Sequence, residues 1–123
     1  MSYVIHESEV EALDLPGRAH KMIVKPETGS QRMCAGVATF PRAKRAPGHV
    51  HEKAEEVLYV LSGSGRMYFD GQPEAIRPGS FMLVSPGVEH SLEAGPGADL
   101  KVFYVFSPPV KQGSYDKSDQ QNK

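Results

Sequence analysis

The chain has 123 residues, with 14 Lys and Arg against 15 Asp and Glu and a formal net charge of -1. This length is typical of one domain with a single core, and it excludes an enzyme built from two full domains. No block of like charges is long enough to follow a phosphate backbone, so we expect no nucleic-acid partner.

The beginning of the chain lacks the pattern of a secretory signal. Residues 1–15 contain three Glu and one Asp, where a signal peptide has a basic start followed by an apolar run. No apolar stretch approaches the ~20 residues needed to cross a bilayer. Cys34 is the single cysteine, which excludes an internal disulfide bond and is typical of a reducing compartment. We therefore predict a cytoplasmic protein with no membrane partner.

In chain order, residues 7–15 form the first predicted element, a short helix, because Val10 and Leu13 have helical spacing and Pro16-Gly17 ends the pattern. Turn sequences such as Asp70-Gly71 separate the apolar runs that follow. These runs predict strands at about 20–25, 33–40, 56–61, 66–69, 81–84 and 100–106. Closely spaced strands without intervening helices predict an all-β, antiparallel barrel or sandwich.

Two of the predicted strands are apolar on both faces. Residues 57–61 and 102–106 show almost no alternation between apolar and polar side chains, so each needs cover on two sides. A barrel interior covers one face, and a second copy of the chain would cover the other. We therefore predict a homodimer; the alternative is that residues 7–15 or a terminal strand fold over these strands.

Candidate metal ligands concentrate around residues 48–65. His49 and His51 are two apart, so on a strand both imidazoles project from the same face, with Cα atoms ~6.6 Å apart. Two such imidazoles can bind one ion, and a carboxylate from the next strand, Glu55 or Glu56, would complete the arrangement. A fourth donor, His90, follows the turn at 85–87.

The spacing of these residues resembles the cupins, in particular small single-domain cupins with one metal site. The first cupin motif is matched by His49, His51, Glu56 and Gly63, and the second by Gly79, Gly87 and His90. The resemblance covers about residues 37–106 and selects Glu56 over Glu55. Ala43 stands where the first motif begins with glycine, Ser85 where the second has proline, and Ala94 where the second often ends with asparagine.

The resemblance implies a cupin-type antiparallel β-barrel, also called a double-stranded β-helix or jelly roll. It implies one cupin domain over residues 1–111, with a metal-binding core at about 33–107; we expect the polar residues 112–123 to form a flexible tail. It also implies one divalent ion held by three histidines and one glutamate. This donor set suits Mn, Fe, Ni, Co, Cu or Zn rather than Ca or Mg.

Several neighbouring side chains are candidates for binding a substrate. Arg42, Lys44 and Arg45 could hold an anionic group beside the metal, or they could form a solvated basic loop. Tyr68 and Tyr104 could contribute a phenol to the site, although packing in the core also explains them.

Three further residues have a functional and a structural interpretation. Glu55 or Glu89 would serve as a general base near the metal, or simply occupy a solvated strand or turn position. Cys34 would contact a substrate or fill the core as a small apolar side chain.

Two functions are consistent with these residues. The first is a metal-dependent enzyme that acts on a small oxygenated metabolite, with dioxygenase, isomerase, decarboxylase or lyase chemistry, as the resemblance implies. The second is a binding module that holds a sugar-like or acidic ligand without turnover. Sugar-binding regulatory cupins usually carry a DNA-binding domain, which favours the enzyme for this chain.

Overall fold

A computed structural model describes residues 3–114, and this part of the chain is all-β, as predicted. It contains short 3₁₀ helices at Glu7–Glu9 and Pro26–Thr28. Its strands are β1 Leu13–Leu15, β2 Arg18–Val24, β3 Cys34–Phe40, β4 Glu55–Ser62, β5 Gly65–Phe69, β6 Gln72–Ile76, β7 Phe81–Val84, β8 His90–Ala94 and β9 Leu100–Ser107.

The strands form two antiparallel sheets that enclose one core. The larger sheet has the order β1-β2-β3-β9-β4-β7, and the smaller has the order β6-β5-β8. Side chains alternate along β2, β4 and β9, so every second residue enters the core. Apolar residues from both sheets fill it, among them Met67, Met82, Leu100 and Val102.

The segment before β4 lies against the smaller sheet. The Ala46 N–H donates to the Leu92 carbonyl at 2.9 Å, and the Ala94 N–H donates to the Lys44 carbonyl at 3.1 Å. Residues 44–49 therefore run antiparallel to β8 and cover its free edge.

The prediction of a helix over residues 7–15 is wrong. A single 3₁₀ turn spans Glu7–Glu9, and residues 13–15 form β1, which pairs with β2 with Leu13 opposite His20. Leu13 is 47% exposed, so the apolar spacing does not produce a buried helical face. Pairing with the edge of the larger sheet satisfies the backbone instead.

Each of the six predicted strands is present, and β1, β6 and β8 are additional. β6 carries Pro73 and is mostly exposed, which is compatible with its place at the edge of the sheet. Residues 115–123, most of the predicted tail, lie outside the described residues, whereas Gln112 contacts His20. None of the described residues form a helix long and apolar enough to cross a membrane.

Part of the outer face of the larger sheet is apolar and exposed. Phe81 and Leu83 on β7 are 75% and 60% exposed, and Phe103 on β9 is 39% exposed. Tyr59 on β4 is paired with Phe81 on one side and with Phe103 on the other. Residues 5–7 of the N-terminal segment line a surface pocket together with Val37 and Phe103.

Candidate metal centre

Four potential metal ligands meet in the core between the two sheets. His49 and His51 come from the segment before β4, Glu56 from β4, and His90 from the first position of β8. One donor atom from each lies within 4.8 Å of the others, and all four residues are buried. Two ligands on opposite sides of one ion, each at ~2.1 Å, are about 4.2 Å apart, so the cluster has the size of a mononuclear site.

Backbone pairing fixes the positions of these residues. The N–H groups of His49 and His90 each donate to the other's carbonyl at 3.0 Å, and the two rings lie with centroids 4.2 Å apart. Glu56 is held in a central strand between Val84 and Phe106. Glu56 and His90 therefore lie on strands, His49 is fixed by its bridge to His90, and His51 lies in the segment that leads into β4.

The contacts of Glu56 and His90 indicate a cation between them. Glu56 Oε1 lies 3.2 Å from His90 Nε2 and 3.3 Å from His51 Nε2, and neither contact has the angles of a hydrogen bond. His90 Nδ1 lies 3.1 Å from the Val88 carbonyl. A carbonyl accepts, so Nδ1 donates, and the opposite ring nitrogen, Nε2, is the one directed at Glu56. The donor set fits a divalent ion at this point.

Burial and neighbouring charges set the protonation of the cluster. Burial lowers the pKa of His49 to about 2, with further lowering by the nearby His90 and Arg18. Burial alone would raise the pKa of Glu56, but the imidazoles of His51 and His90 outweigh it and leave this pKa below the usual value. Near neutral pH the site therefore combines a neutral His49 with an ionised Glu56, the forms that bind a metal ion.

A small cavity adjoins the cluster inside the core. About 20 Å³ of it is open to the centre of a water molecule, which is room for roughly one or two waters. Its polar lining residues are Arg18, His20, His49, Glu56, His90 and Tyr104. Arg18 and His20 were not predicted from the sequence, because the predicted strand began at residue 20; the alternation Arg18, His20, Met22 was the signal that places them on one face.

Tyr104 lines this cavity, and its hydroxyl forms a hydrogen bond with the backbone of β2. The hydroxyl donates to the Lys21 carbonyl at 3.0 Å, and the ring stacks on His20 with centroids 4.6 Å apart. Gly36 makes this close approach possible, because a Cβ there would lie 1.8 Å from the Lys21 carbonyl oxygen and 2.8 Å from the Tyr104 hydroxyl.

The other substrate-binding candidates lie outside the cavity. Arg42, Lys44 and Arg45 are exposed. The Arg45 guanidinium lies 3.6 Å from the centre of the Tyr68 ring, and the Tyr68 hydroxyl donates to Glu93 at 2.8 Å on the outer face of the smaller sheet. A role for these residues in binding a substrate remains a prediction.

The remaining candidates from the sequence are not among the four clustered residues. Glu55 and Glu89 are exposed. Cys34 is fully buried in the core, and burial raises the pKa of its thiol. A protonated, inaccessible thiol is typical of a packing residue.

Comparison with known proteins identifies the family. The Cupin domain model matches residues 36–106, which is more than half of the chain. The chain belongs to the cupin family. This membership confirms the fold expected from the two motifs. Of the seven residues that carried the resemblance, the four candidate ligands are gathered in the buried cluster.

A curated relative is similar to part of this chain, and two solved structures are similar to most of it. Quercetin 2,3-dioxygenase of Bacillus subtilis (strain 168) is 27% identical over 89 residues, which cover 72% of this chain and 26% of the dioxygenase. The polyketide cyclase RemF from Streptomyces resistomycificus is 24% identical with a TM-score of 0.76, covering 98% of this chain and 92% of RemF. KdgF from Halomonas sp. is 20% identical with a TM-score of 0.77, covering 91% of this chain and 97% of KdgF. The two structural likenesses show the shared fold.

Proposed function

We propose that this cupin is a metal-dependent enzyme that acts on a small oxygenated metabolite. His49, His51, Glu56 and His90 would hold one divalent transition-metal ion. Membership of the cupin family supports the proposal, as does the partial match to a dioxygenase. The small cavity beside the ligands supports a substrate of few atoms.

The observation that carries the proposal is the contact between Glu56 and His90. A carboxylate oxygen and an imidazole nitrogen, both buried, lie 3.2 Å apart without hydrogen-bond geometry. Buried polar atoms without a hydrogen bond cost about 1–3 kcal/mol each. A bound ion would satisfy both atoms at once.

When bound, a divalent ion would polarise a substrate carbonyl, and a redox-active ion would also support chemistry with dioxygen. The residues of the chain would supply charge, orient the ligands and limit the access of water. Glu56 would supply one negative charge to the ion, and the His90 Nδ1–H bond to the Val88 carbonyl would keep Nε2 directed at the ion. Leu58, Leu92, Val102 and Phe106 line the cavity and limit the access of water.

The metal site is tested by elemental analysis of protein purified without added metal. We expect about one equivalent of a transition metal in the wild type, and sharply lower content in His49→Ala and His90→Ala with an unchanged β-type far-ultraviolet spectrum. His6→Ala is the matched control, because His6 is exposed and lies outside the cluster. Full occupancy in both cluster variants would refute the ligand assignment.

Catalysis is tested by incubating metal-loaded protein with 2-oxo acids, diketones and sugar phosphates and following products by NMR. We expect turnover of at least one compound, lost in His90→Ala. Saturable binding without product, with every metal, would contradict the enzyme and support a binding module.

We also propose that the chain forms a homodimer through the outer face of β4, β7 and β9. Phe81, Tyr59 and Phe103 form one row across this face, and Leu83, Val57 and Val105 form the next. A contiguous apolar patch of this kind is typical of an interface between protein subunits.

A further inference from the structure

Residues 108–114 follow β9 at the end of the barrel that holds the candidate metal ligands, and we call them the C-terminal strap. Phe106, near the end of β9, is paired with Glu56, and its ring centroid lies 4.5 Å from that of His51. Ser107 is the last residue of β9. The strap therefore begins two residues beyond a side chain that neighbours two of the candidate ligands.

The strap crosses the inner side of the larger sheet. The Cys34 thiol, a weak donor, lies 3.8 Å from the Val110 carbonyl oxygen, and Val110 packs against the core. Gln112 Nε2 lies 2.9 Å from His20 Nδ1 and donates to the His20 carbonyl at 3.2 Å. Cys34 and His20 are both buried, and the strands neighbour one another in the order β9-β3-β2. The strap therefore passes from β9 over β3 to β2 and covers this end of the core.

Side-chain contacts hold the strap in place. Pro108 and Pro109 have no N–H to donate, so the ladder of β9 ends before them. The Ser114 N–H donates to the Lys111 carbonyl at 3.0 Å, which closes a turn inside the strap. Breaking one hydrogen bond to a neighbouring strand changes an opening equilibrium by about three- to tenfold. Opening the strap therefore needs much less free energy than unfolding the sheets.

The strap lies between a small inner cavity and a larger surface pocket. The inner cavity, which His20 lines, has room for roughly one or two waters. The surface pocket has a volume of about 480 Å³ and is lined by Met22, Pro26, Val110 and Gln112, among others. His20 and Met22 are alternate, buried residues of β2, so the two spaces are neighbours. The Gln112 side chain lines the outer space and is bonded to a residue that lines the inner one.

We infer that the C-terminal strap is a lid that opens locally while both sheets remain folded, and that its opening joins the surface pocket to the inner cavity. With the lid closed, the cavity is too small for a metabolite of several carbon atoms, so a substrate enters when the lid is displaced. The contact between Gln112 and His20 is the latch. The entry of a substrate rests on the proposed function, whereas the opening itself does not.

The thiol of Cys34 reports the opening, because it is the single cysteine, is fully buried and contacts the strap. The test follows its reaction with 5,5′-dithiobis(2-nitrobenzoate) under native conditions. We expect the rate to stay nearly constant as urea is raised below the unfolding transition, since local opening exposes little surface. A thiol that does not react, or that reacts only with the full urea dependence of global unfolding, would overturn the lid.

Variants test the latch. In Gln112→Ala we expect the thiol to react at least about threefold faster than in the wild type, still without the urea dependence of unfolding. Gln72→Ala is the matched control, because Gln72 is exposed on β6, and it should react as the wild type does. An equal rate in wild type and Gln112→Ala would overturn the latch.

A core variant separates local opening from global unfolding. Ile76 is a buried core residue on the smaller sheet, and Ile76→Val lowers the free energy of unfolding. We expect the thiol of this variant to react at the wild-type rate. A faster reaction would mean that global unfolding exposes Cys34, and this would overturn the lid.

Removal of the metal by a chelator tests whether the opening leads to the candidate metal centre. In protein carrying the metal with which it is purified, we expect EDTA to remove the ion at least about threefold faster from Gln112→Ala than from the wild type or Gln72→Ala. Equal removal together with faster thiol reaction would overturn the connection to the cavity. A wild type that binds no metal would overturn the proposed function, and the thiol reaction would still decide the lid.

Discussion

Two adjacent glutamates at the start of β4 face opposite sides of the sheet. Glu55 is exposed, whereas Glu56 is 4% exposed and directed at the histidines. We expect Glu56→Gln to lose most of the bound metal, because an amide is a poor ligand without charge, and Glu55→Gln to retain it. Metal content by elemental analysis checks this. The reverse order would mean that the strand is shifted by one residue.

His20 makes the stability of the protein sensitive to acid. Burial lowers its pKa from 6.5 to about 3; the charge of Arg18 adds to this, and Glu56 opposes it. Between these values the unfolded chain binds a proton that the folded chain does not. The free energy of unfolding therefore falls as the pH decreases below about 6.5, by about 2 kcal/mol at pH 5 from this residue.

We expect His20→Gln to reduce this loss, so that the variant is less sensitive than the wild type between pH 7.5 and pH 5. Urea unfolding at the two pH values measures the difference. His6→Gln is the control, since His6 is exposed. Equal acid sensitivity in wild type and His20→Gln would contradict the conclusion that the lowered pKa of His20 causes the loss of stability.

At the scale of an element, the turn that leads into the metal segment contains a strained residue. Ala43 has φ 61°, a conformation that costs a residue with a Cβ about 1–2 kcal/mol, and it stands where the cupin motif has glycine. We expect Ala43→Gly to raise the free energy of unfolding by about 0.5–1 kcal/mol, the relief of strain less the added entropy of the unfolded chain.

Chemical denaturation of both proteins checks this expectation. Ala75→Gly on β6 is the matched control: Ala75 is exposed and lies in a strand without positive φ, so its replacement should cost about 0.5–1 kcal/mol. A loss of stability in Ala43→Gly as large as in the control would show that the turn is not strained.

The predicted elements differ in how much they depend on distant residues. The strand at 81–84 was predicted with its observed bounds, because turn sequences flank a short apolar run. β8 was missed because its sequence alternates His, Ser, Leu, Glu and Ala without β-branched residues; it is a strand because it pairs with β5 and with the segment around His49. The helix predicted over 7–15 failed for a related reason, since pairing with β2 outweighs local spacing.

At the scale of the molecule, the exposed apolar rows on the larger sheet are the basis for the proposed homodimer. Phe81→Asp places a charge in the proposed interface, and we expect the dissociation constant of the dimer to rise at least about 100-fold. Sedimentation velocity over a range of concentrations measures this. Met33→Asp is the control, because Met33 is exposed and lies outside these rows. A wild-type chain that remains a monomer throughout would contradict the dimer.

The sequence by itself determined the all-β class, the cupin family and the four candidate ligands. These depend on local spacing: a strand repeats every two residues, and the His-x-His pair and Glu56 lie within one short segment. The tertiary structure decided which other groups share the cavity. Arg18 and His20 reach it because β2 pairs with β3, and β3 with β9. Alternation along β2 places the two residues on one face, but only the register between strands far apart in the chain decides that this face meets the candidate ligands.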